Sequence, residues 1–456
     1  VGLVSVVSSR HAQVIARGQR RTIFRAVGLS GAAPVSRLAV LIALVAFPAA
    51  AQPDAAHPRN VVLMIADGFG PASSTMARAV RPLALDALLV GSVETSATDS
   101  RVTDSAAGAT AYACGLKTYN GAIGVDADGQ PCRTLLEAAR DRGMATGLVT
   151  TTRITHATPA SFAAHVPRRS QEAEIAVQMA AAGVDLMVGG GARFFVPEVL
   201  GGSREDPLDL LETARRAGVA VATGRAEWDA VARLPALALL DTDHLAYEID
   251  RDETAEPSLA EIARRALDLL DAHAGENGFF LMIEGGRIDH AAHGNDAPAH
   301  LRDILAYDDA VAAVVAWAEA DGATLVLSTA DHETGGLTLG ARGVYAWDPA
   351  PLVAATMSAE RLAALTDGAP TAADVARALG DAAPDSTYAA CSPGAACVDA
   401  FRQAATLRAG LAWTTGGHTA VDVGLYAFGP GAGAFLGGMT NDAVGRALFA
   451  AMGLVP

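Results

Sequence analysis

Five short apolar runs punctuate the chain, and each stops abruptly at acidic, histidine or glycine residues: 61–66 before Asp67, 147–152 before His156, 185–188 before Gly189, 279–283 before Glu284 and 324–330 before Asp331. Runs this short and this continuous predict strands buried on both faces, as in a parallel sheet covered by helices. Between them lie helical patterns over 134–142, 170–182, 208–217, 258–274 and 299–320. Strand and helix in alternation predict an α/β fold, with one large, mostly parallel central sheet and helices on both of its faces.

From Gly335 to Gly417 the pattern weakens and Pro, Gly and Ala become abundant, which predicts a surface insertion over about 337–413, between Asp331-His332 and His418. No internal repeat and no linker divides the remainder, so 52–456 reads as a single domain. Upstream, the apolar run 38–47 follows Arg37 and leads into Ala49, Ala50 and Ala51, the arrangement of an export signal over residues 1–51. Ten apolar residues are too few to span a bilayer, so no stable membrane span is expected and the mature protein should be periplasmic or secreted. Arg20-Arg21 is a weak twin-arginine signal.

Charge narrows the partners. The formal net charge is −16, and residues 1–51 carry six arginines and no acid, which leaves −22 for the rest. A body that acidic repels nucleic acid and anionic lipid. Four cysteines suit an exported protein: Cys391 and Cys397 predict a small disulfide-closed loop, whereas Cys114 and Cys132 read equally well as buried apolar filler.

The polar residues at the strand ends carry the chemistry. Ligands of open α/β sheets bind beyond the carboxyl ends of the strands, and Asp67, Glu284 and Asp331 all fall there. Three acids on one edge repel one another unless cations lie among them. The stretch 284–293 adds Asp289 and His293 at i and i+4, with His290 between them, a set of oxygen and nitrogen donors suited to zinc or magnesium. Asp331-His332 and the glycine-flanked His418 supply more, although a lone histidine among glycines is by itself more often structural. In 103–111, Asp104-Ser105 precedes a run of very small residues, which reads as a helix start able to bind phosphate. Taken alone, Ser105 reads more readily as a simple N-cap.

Together these stretches resemble the alkaline phosphatases from about Asn60 onward: MIADGFG (64–70), TDSAAGATAYACGLKTYNGAIGVD (103–126), THATPASFAAHVPRR (155–169), FFLMIEGGRIDHAAH (279–293), TADHETGG (329–336) and TTGGHT (414–419), in family order. The resemblance implies a three-layer sandwich that hydrolyses phosphate monoesters through a phosphoserine on Ser105. It implies one Zn2+ held by Asp289, His293 and His418, a second by Asp67, Ser105, Asp331 and His332, and an Mg2+ between Asp67, Thr158 and Glu284. Arg169, rather than its neighbour Arg168, is the implied phosphate clamp, with Asp104 orienting the nucleophile, and a homodimer is implied as well.

Some members place Asp and Lys where this chain has His156 and His290, so His156 is expected at the third site, where Zn2+ or Co2+ can replace Mg2+. Asp241, Glu256 and the Leu240 carbonyl match a Ca2+ site of some animal members. His57, His165, His244, His273 and His300 read as structural or exposed. A sulfatase of the same superfamily would carry an arginine soon after the nucleophile, where this chain has Ala106-Ala107-Gly108-Ala109. A phosphodiesterase would lack the Arg169 clamp, and a non-catalytic periplasmic metal or phosphate carrier would not need Ser105.

Overall fold

The computed structural model describes residues 57–456, and the predicted leader over 1–51 lies outside them. The strands are β1 (Asn60–Ile65), β2 (Leu89–Glu94), β3 (Ala145–Arg153), β4 (Leu186–Gly190), β5 (Ala220–Ala222), β6 (Ala236–Leu239), β7 (Phe279–Glu284) and β8 (Thr324–Thr329). Four two-residue strands follow, β9 (Glu333–Thr334), β10 (Thr338–Leu339), β11 (Leu411–Ala412) and β12 (His418–Thr419), and then β13 (Val423–Phe428) and β14 (Gly437–Thr440). Ten of them make one sheet in the order β14-β2-β13-β8-β1-β7-β3-β4-β6-β5. Only β13 runs against its neighbours β2 and β8; the other pairings are parallel.

The five predicted strands are β1, β3, β4, β7 and β8, and every residue of β1, β7 and β8 is buried, as the continuous apolar runs required. The five predicted helices also form. Leu259–His273 shows why: Ser258 and Glu261 build a capping box at its start, and Leu259, Ile262, Ala263, Ala266, Leu267 and Leu270 make one buried stripe along it. The sheet order gathers β8, β1, β7 and β3 side by side, although they are scattered along the chain. Ile65 pairs with Glu284 on one side and Thr329 on the other, and Glu284 pairs with Thr150. The carboxyl ends of β8, β1 and β7 therefore finish at one level beside Thr150 of β3, which runs on to Arg153, and the residues just beyond them meet.

The segment 337–413 is more regular than its composition suggests. It holds helices Ala350–Ala354, Ala359–Leu365, Ala372–Leu379 and Ala395–Arg408, whose Leu352, Leu362, Val375 and Phe401 are buried with the main core. These helices are short and alanine-rich, so their apolar periodicity is faint in the sequence. β10 pairs with β11, and β9 with β12, so the chain leaves and returns at one place. Both cysteine pairs are disulfides: Cys391–Cys397 as expected, and Cys114–Cys132, whose partners a reading as filler had left open.

Candidate active site

Three groups of ligand side chains lie at these strand ends: Asp289, His293 and His418; Asp67, Asp331 and His332; and Asp67, His156 and Glu284. In each, one donor atom per residue lies within 4.8 Å of the others, and Asp67 belongs to two groups. Asp67, Glu284, Asp331, His332 and Thr158 are 0 % exposed. Even so, both oxygens of Asp67, Oδ2 of Asp331, Oε1 of Glu284, Oγ1 of Thr158 and Nδ1 of His156 have no hydrogen-bond partner. A buried polar atom without a partner is rare because it forfeits its hydration, and here six converge. Burial, with the fields of Asp331, Asp289 and Glu284, holds the Asp67 carboxyl well above the usual range; burial and Asp289 push Asp331 up to about 8. Burial also raises Glu284, against the pull of the Thr150 and Thr152 hydroxyls. Such a set fits divalent cations, which satisfy the orphaned oxygens and cancel their repulsion together.

Hydrogen bonds behind the ligands set their tautomers. His418 Nδ1 lies 2.9 Å from the Thr103 carbonyl and His293 Nδ1 lies 2.7 Å from the Gly416 carbonyl, so each Nδ1 carries the proton and donates it. The two Nε2 atoms then face each other at 3.0 Å, with Asp289 Oδ2 3.2 Å from that of His293. Two imidazole lone pairs and a carboxylate on one point suit a zinc-type ion. Without one the group relieves itself with a proton: the bond to Asp289 lifts His293 to about 9. Asp289 itself is pulled well below the usual range, burial being outweighed by that bond and by the nearby imidazoles. Thr334 serves the second group, donating to Asp289 Oδ1 at 2.5 Å and accepting from His332 Nδ1 at 3.2 Å. This turns His332 Nε2 toward Asp331 Oδ2, Asp67 Oδ1 and Ser105 Oγ, at 3.3, 3.6 and 3.3 Å.

Ser105 is the first residue of the helix Ser105–Cys114, and Asp104 caps it by accepting from the Ala107 N–H at 3.0 Å. That helix is buried throughout and packs against the end of β8, where a Cβ on Gly108 would stand 3.1 Å from Asp331 Cβ and 3.2 Å from its carbonyl oxygen. Glycine there lets Ser105 approach the acids. Gly68, at φ +75°, turns the chain after Asp67 so that its N–H reaches Asp331 Oδ1 at 3.2 Å. Arg169 extends from its loop to Asp104 Oδ2 at 3.2 Å, Ser105 Oγ at 3.5 Å and His156 Nε2 at 2.9 Å, whereas Arg168 is exposed.

Several neighbours escaped the sequence reading. Thr150, Thr152 and Thr334 are buried among the ligands, and the Thr150 hydroxyl bonds Glu284 directly. His244, read as structural or exposed, stands in a histidine cluster: its ring centroid lies 4.4 Å from that of His290 and 5.7 Å from that of His156. It follows β6, so the rule that flagged Asp67 would have flagged it had 236–239 been recognised as a strand. His290 stands one ring outside the third group, 5.3 Å from His156 between centroids, and accepts from Arg287 at 3.1 Å. Asp241 and Glu256, the expected calcium ligands, accept from the Asp243 and Ala246 N–H groups at 2.8 and 3.2 Å. Among the described residues no helix is long and apolar enough to cross a membrane.

Known proteins share this chain's sequence pattern and its fold. The alkaline phosphatase family model matches residues 58–454. The chain is 40% identical over 454 residues to the repressible alkaline phosphatase of Saccharomyces cerevisiae, with 86% of this chain and 80% of that one covered. The structure of a cold-active alkaline phosphatase from a psychrophilic Shewanella species is similar at TM-score 0.78 and 31% identity, over 86% of this chain and 99% of that one. A histidine-to-aspartate variant of the alkaline phosphatase from the Antarctic bacterium TAB5, described with Mg bound in its M3 site, is similar at TM-score 0.67 and 28% identity, over 88% of this chain and 99% of that one. By its match along nearly the whole described chain, the protein belongs to the alkaline phosphatase family of metal-dependent phosphomonoester hydrolases.

Proposed function

We propose that the protein hydrolyses phosphate monoesters through a covalent phosphoserine on Ser105. In this reading zinc ions lie in the group of Asp289, His293 and His418 and in that of Asp67, Asp331 and His332, and a magnesium-type ion lies among Asp67, Thr158 and Glu284. The observation that carries the reading is the set of buried, unpartnered ligand atoms converging within reach of Ser105. Bound metals would supply Lewis acidity and offset the negative charge of four carboxylates, which otherwise repels a phosphate dianion.

The chain's own residues do the rest. Ser105, at a helix N-terminus whose free N–H groups and dipole favour anions, attacks phosphorus. Arg169, steadied by Asp104, holds two non-bridging oxygens as a planar fork. The bond from phosphorus to the alcohol oxygen breaks on the side away from Ser105, toward Asp289, His293 and His418. Water then cleaves the phosphoserine from that side, so two in-line displacements retain configuration at phosphorus. The direct test is phosphate release from p-nitrophenyl phosphate compared with bis(p-nitrophenyl) phosphate, where faster turnover of the diester overturns the reading.

Arg169→Ala should leave the ligands in place and remove one charge-assisted clamp. The expected loss is about 2–4 kcal/mol of transition-state stabilisation, or about 30- to 1000-fold in kcat/KM. A loss under about threefold in steady-state kinetics would mean that the arginine does not hold the reacting phosphoryl group.

His156 should govern the third ion. A ring nitrogen of His156 lies within 4.8 Å of ligand oxygens of Asp67 and Glu284. Binding an ion through the unpartnered Nδ1 would move the ring proton to Nε2 and release the contact with the Arg169 guanidinium. A neutral nitrogen suits zinc or cobalt better than magnesium. The double change His156→Asp with His290→Lys should therefore tighten magnesium, in the direction suggested by the Mg-bound TAB5 variant. Calorimetric titration of magnesium into metal-depleted wild type and variant checks this, and coincident isotherms would remove the histidines from control of the site. Two disulfides, rarely stable in a reducing cytosol, and the apolar stretch 38–47 support export to the periplasm or beyond. The homodimer is carried over from the family, and light scattering would show it as twice the chain mass.

A further inference from the structure

Beside the Asp289, His293 and His418 group lies a cavity of about 330 Å³ that the reaction just described does not use. Its walls bracket the two segments carrying these histidines: Gly294 and Asn295 directly follow His293, and Ala412 and Trp413 precede the loop that ends in His418. In the amide orientation that satisfies both of its ends, Asn295 donates to the Thr415 and Ala292 carbonyls at 3.1 and 3.0 Å, tying the two segments together at the cavity edge. His293 is 39% exposed and is the most open of the ligand histidines.

The cavity is also electropositive in a chain of net charge −16. Arg342 and Arg402 line it against a single carboxylate, Asp399. Arg402 bonds Asp399 through Nη1 at 3.2 Å and its side chain is 32% exposed, so the Nη end of the guanidinium, and not the buried Nε, is open to the cavity. Arg342 is exposed on the loop between β10 and the helix Ala350–Ala354, and no side chain among the described residues pairs with it. Guanidinium donors that an acidic protein leaves unspent beside its reaction centre mark a place for an anion.

We propose that this cavity is a subsite for a second phosphate group on the alcohol portion of the substrate, so that sugar-sized bisphosphates are preferred over monophosphates of the same skeleton. The inference rests on the proposed reaction, in which the alcohol departs past Asp289, His293 and His418 and its body points to this wall.

The test compares fructose 1,6-bisphosphate, fructose 6-phosphate and p-nitrophenyl phosphate as substrates of the metal-loaded protein and of Arg342→Gly with Arg402→Gln. Arg342 has φ +56°, a left-handed conformation that glycine adopts freely, so that change removes the charge without disturbing the loop. Losing both guanidiniums should lower kcat/KM for the bisphosphate about five- to tenfold, mainly through KM, and change the other two by less than about twofold. Raising the salt to 0.5 M should shrink the wild-type preference, since the groups are partly solvated. Equal losses on all three substrates, or none on the bisphosphate, would overturn the subsite while leaving the phosphatase intact. No turnover of p-nitrophenyl phosphate by wild type would instead remove the proposed reaction, and the subsite with it. Should the double variant not fold, Arg342→Gly alone should show the same selective loss at about two- to threefold.

Discussion

Chelation of the purified protein is expected to abolish phosphate release, and zinc with magnesium to restore it. The cause lies in the charge at the strand ends. Asp67, Glu284, Asp289 and Asp331 crowd into a buried space beside Ser105. With cations removed, Arg169 and whatever protons the cluster takes up are left to offset these carboxylates at the reacting phosphoryl group. Two of these acids show the strain: Asp67 is held well above its ordinary range, and Asp331 is pushed up to about 8 from 3.8, chiefly by burial and then by neighbouring carboxylates.

The same shifts predict a pH dependence for the metal-free protein. A carboxyl whose folded pKa exceeds its unfolded value binds extra protons on folding, so it contributes stability at low pH and loses it as pH rises toward the folded value. For Asp331 the window runs from about 4 to about 8. Thermal unfolding should thus show the metal-free form losing stability relative to the metal-loaded form across that window. Full activity after exhaustive chelation, verified by elemental analysis, would sink the metal dependence. Parallel pH profiles for the two forms would show that metals do not relieve the carboxylate cluster.

Ser105→Ala should lower kcat by at least about a thousandfold, because it removes the covalent step and leaves only direct attack by water. The structural cost should be small. Ser105 is buried at the first turn of its helix, the cap is made by the Asp104 carboxylate, and the serine hydroxyl only faces His332 at 3.3 Å and Arg169 at 3.5 Å. Melting temperature and metal content should therefore stay close to wild type, which separates a lost nucleophile from a lost fold. Radiolabelled phosphate should attach to wild type at acid pH, where phosphoserine is chemically stable, and not to the variant. Label that remained on Ser105→Ala would identify another nucleophile. Unchanged turnover would return Ser105 to the plain N-cap reading.

The catalytic outline was legible because its signals are local. A continuous apolar run followed by an acid marks a buried strand with a ligand at its carboxyl end, and this located Asp67, Glu284 and Asp331 together with β1, β7 and β8. Edge and short strands carry no such mark: β2 is half exposed, β14 is glycine-rich, and β5 and β6 are three- and four-residue alanine-rich pieces. Missing β6 hid His244.

From the sequence alone came the fold class, the principal strands and helices, and the residue types assembled at the site. The tertiary structure decided their adjacency. Long-range pairing sets β8, β1, β7 and β3 side by side, joins Cys114 to Cys132, and through β9 with β12 returns His418 beside Asp331 and His332. It also decided the state of the ligands, since the groups that turn His418 and His293 are the backbone carbonyls of Thr103 and Gly416. Every residue has a carbonyl, so no amino-acid type announces which one will face an imidazole; only the folded chain brings the two together.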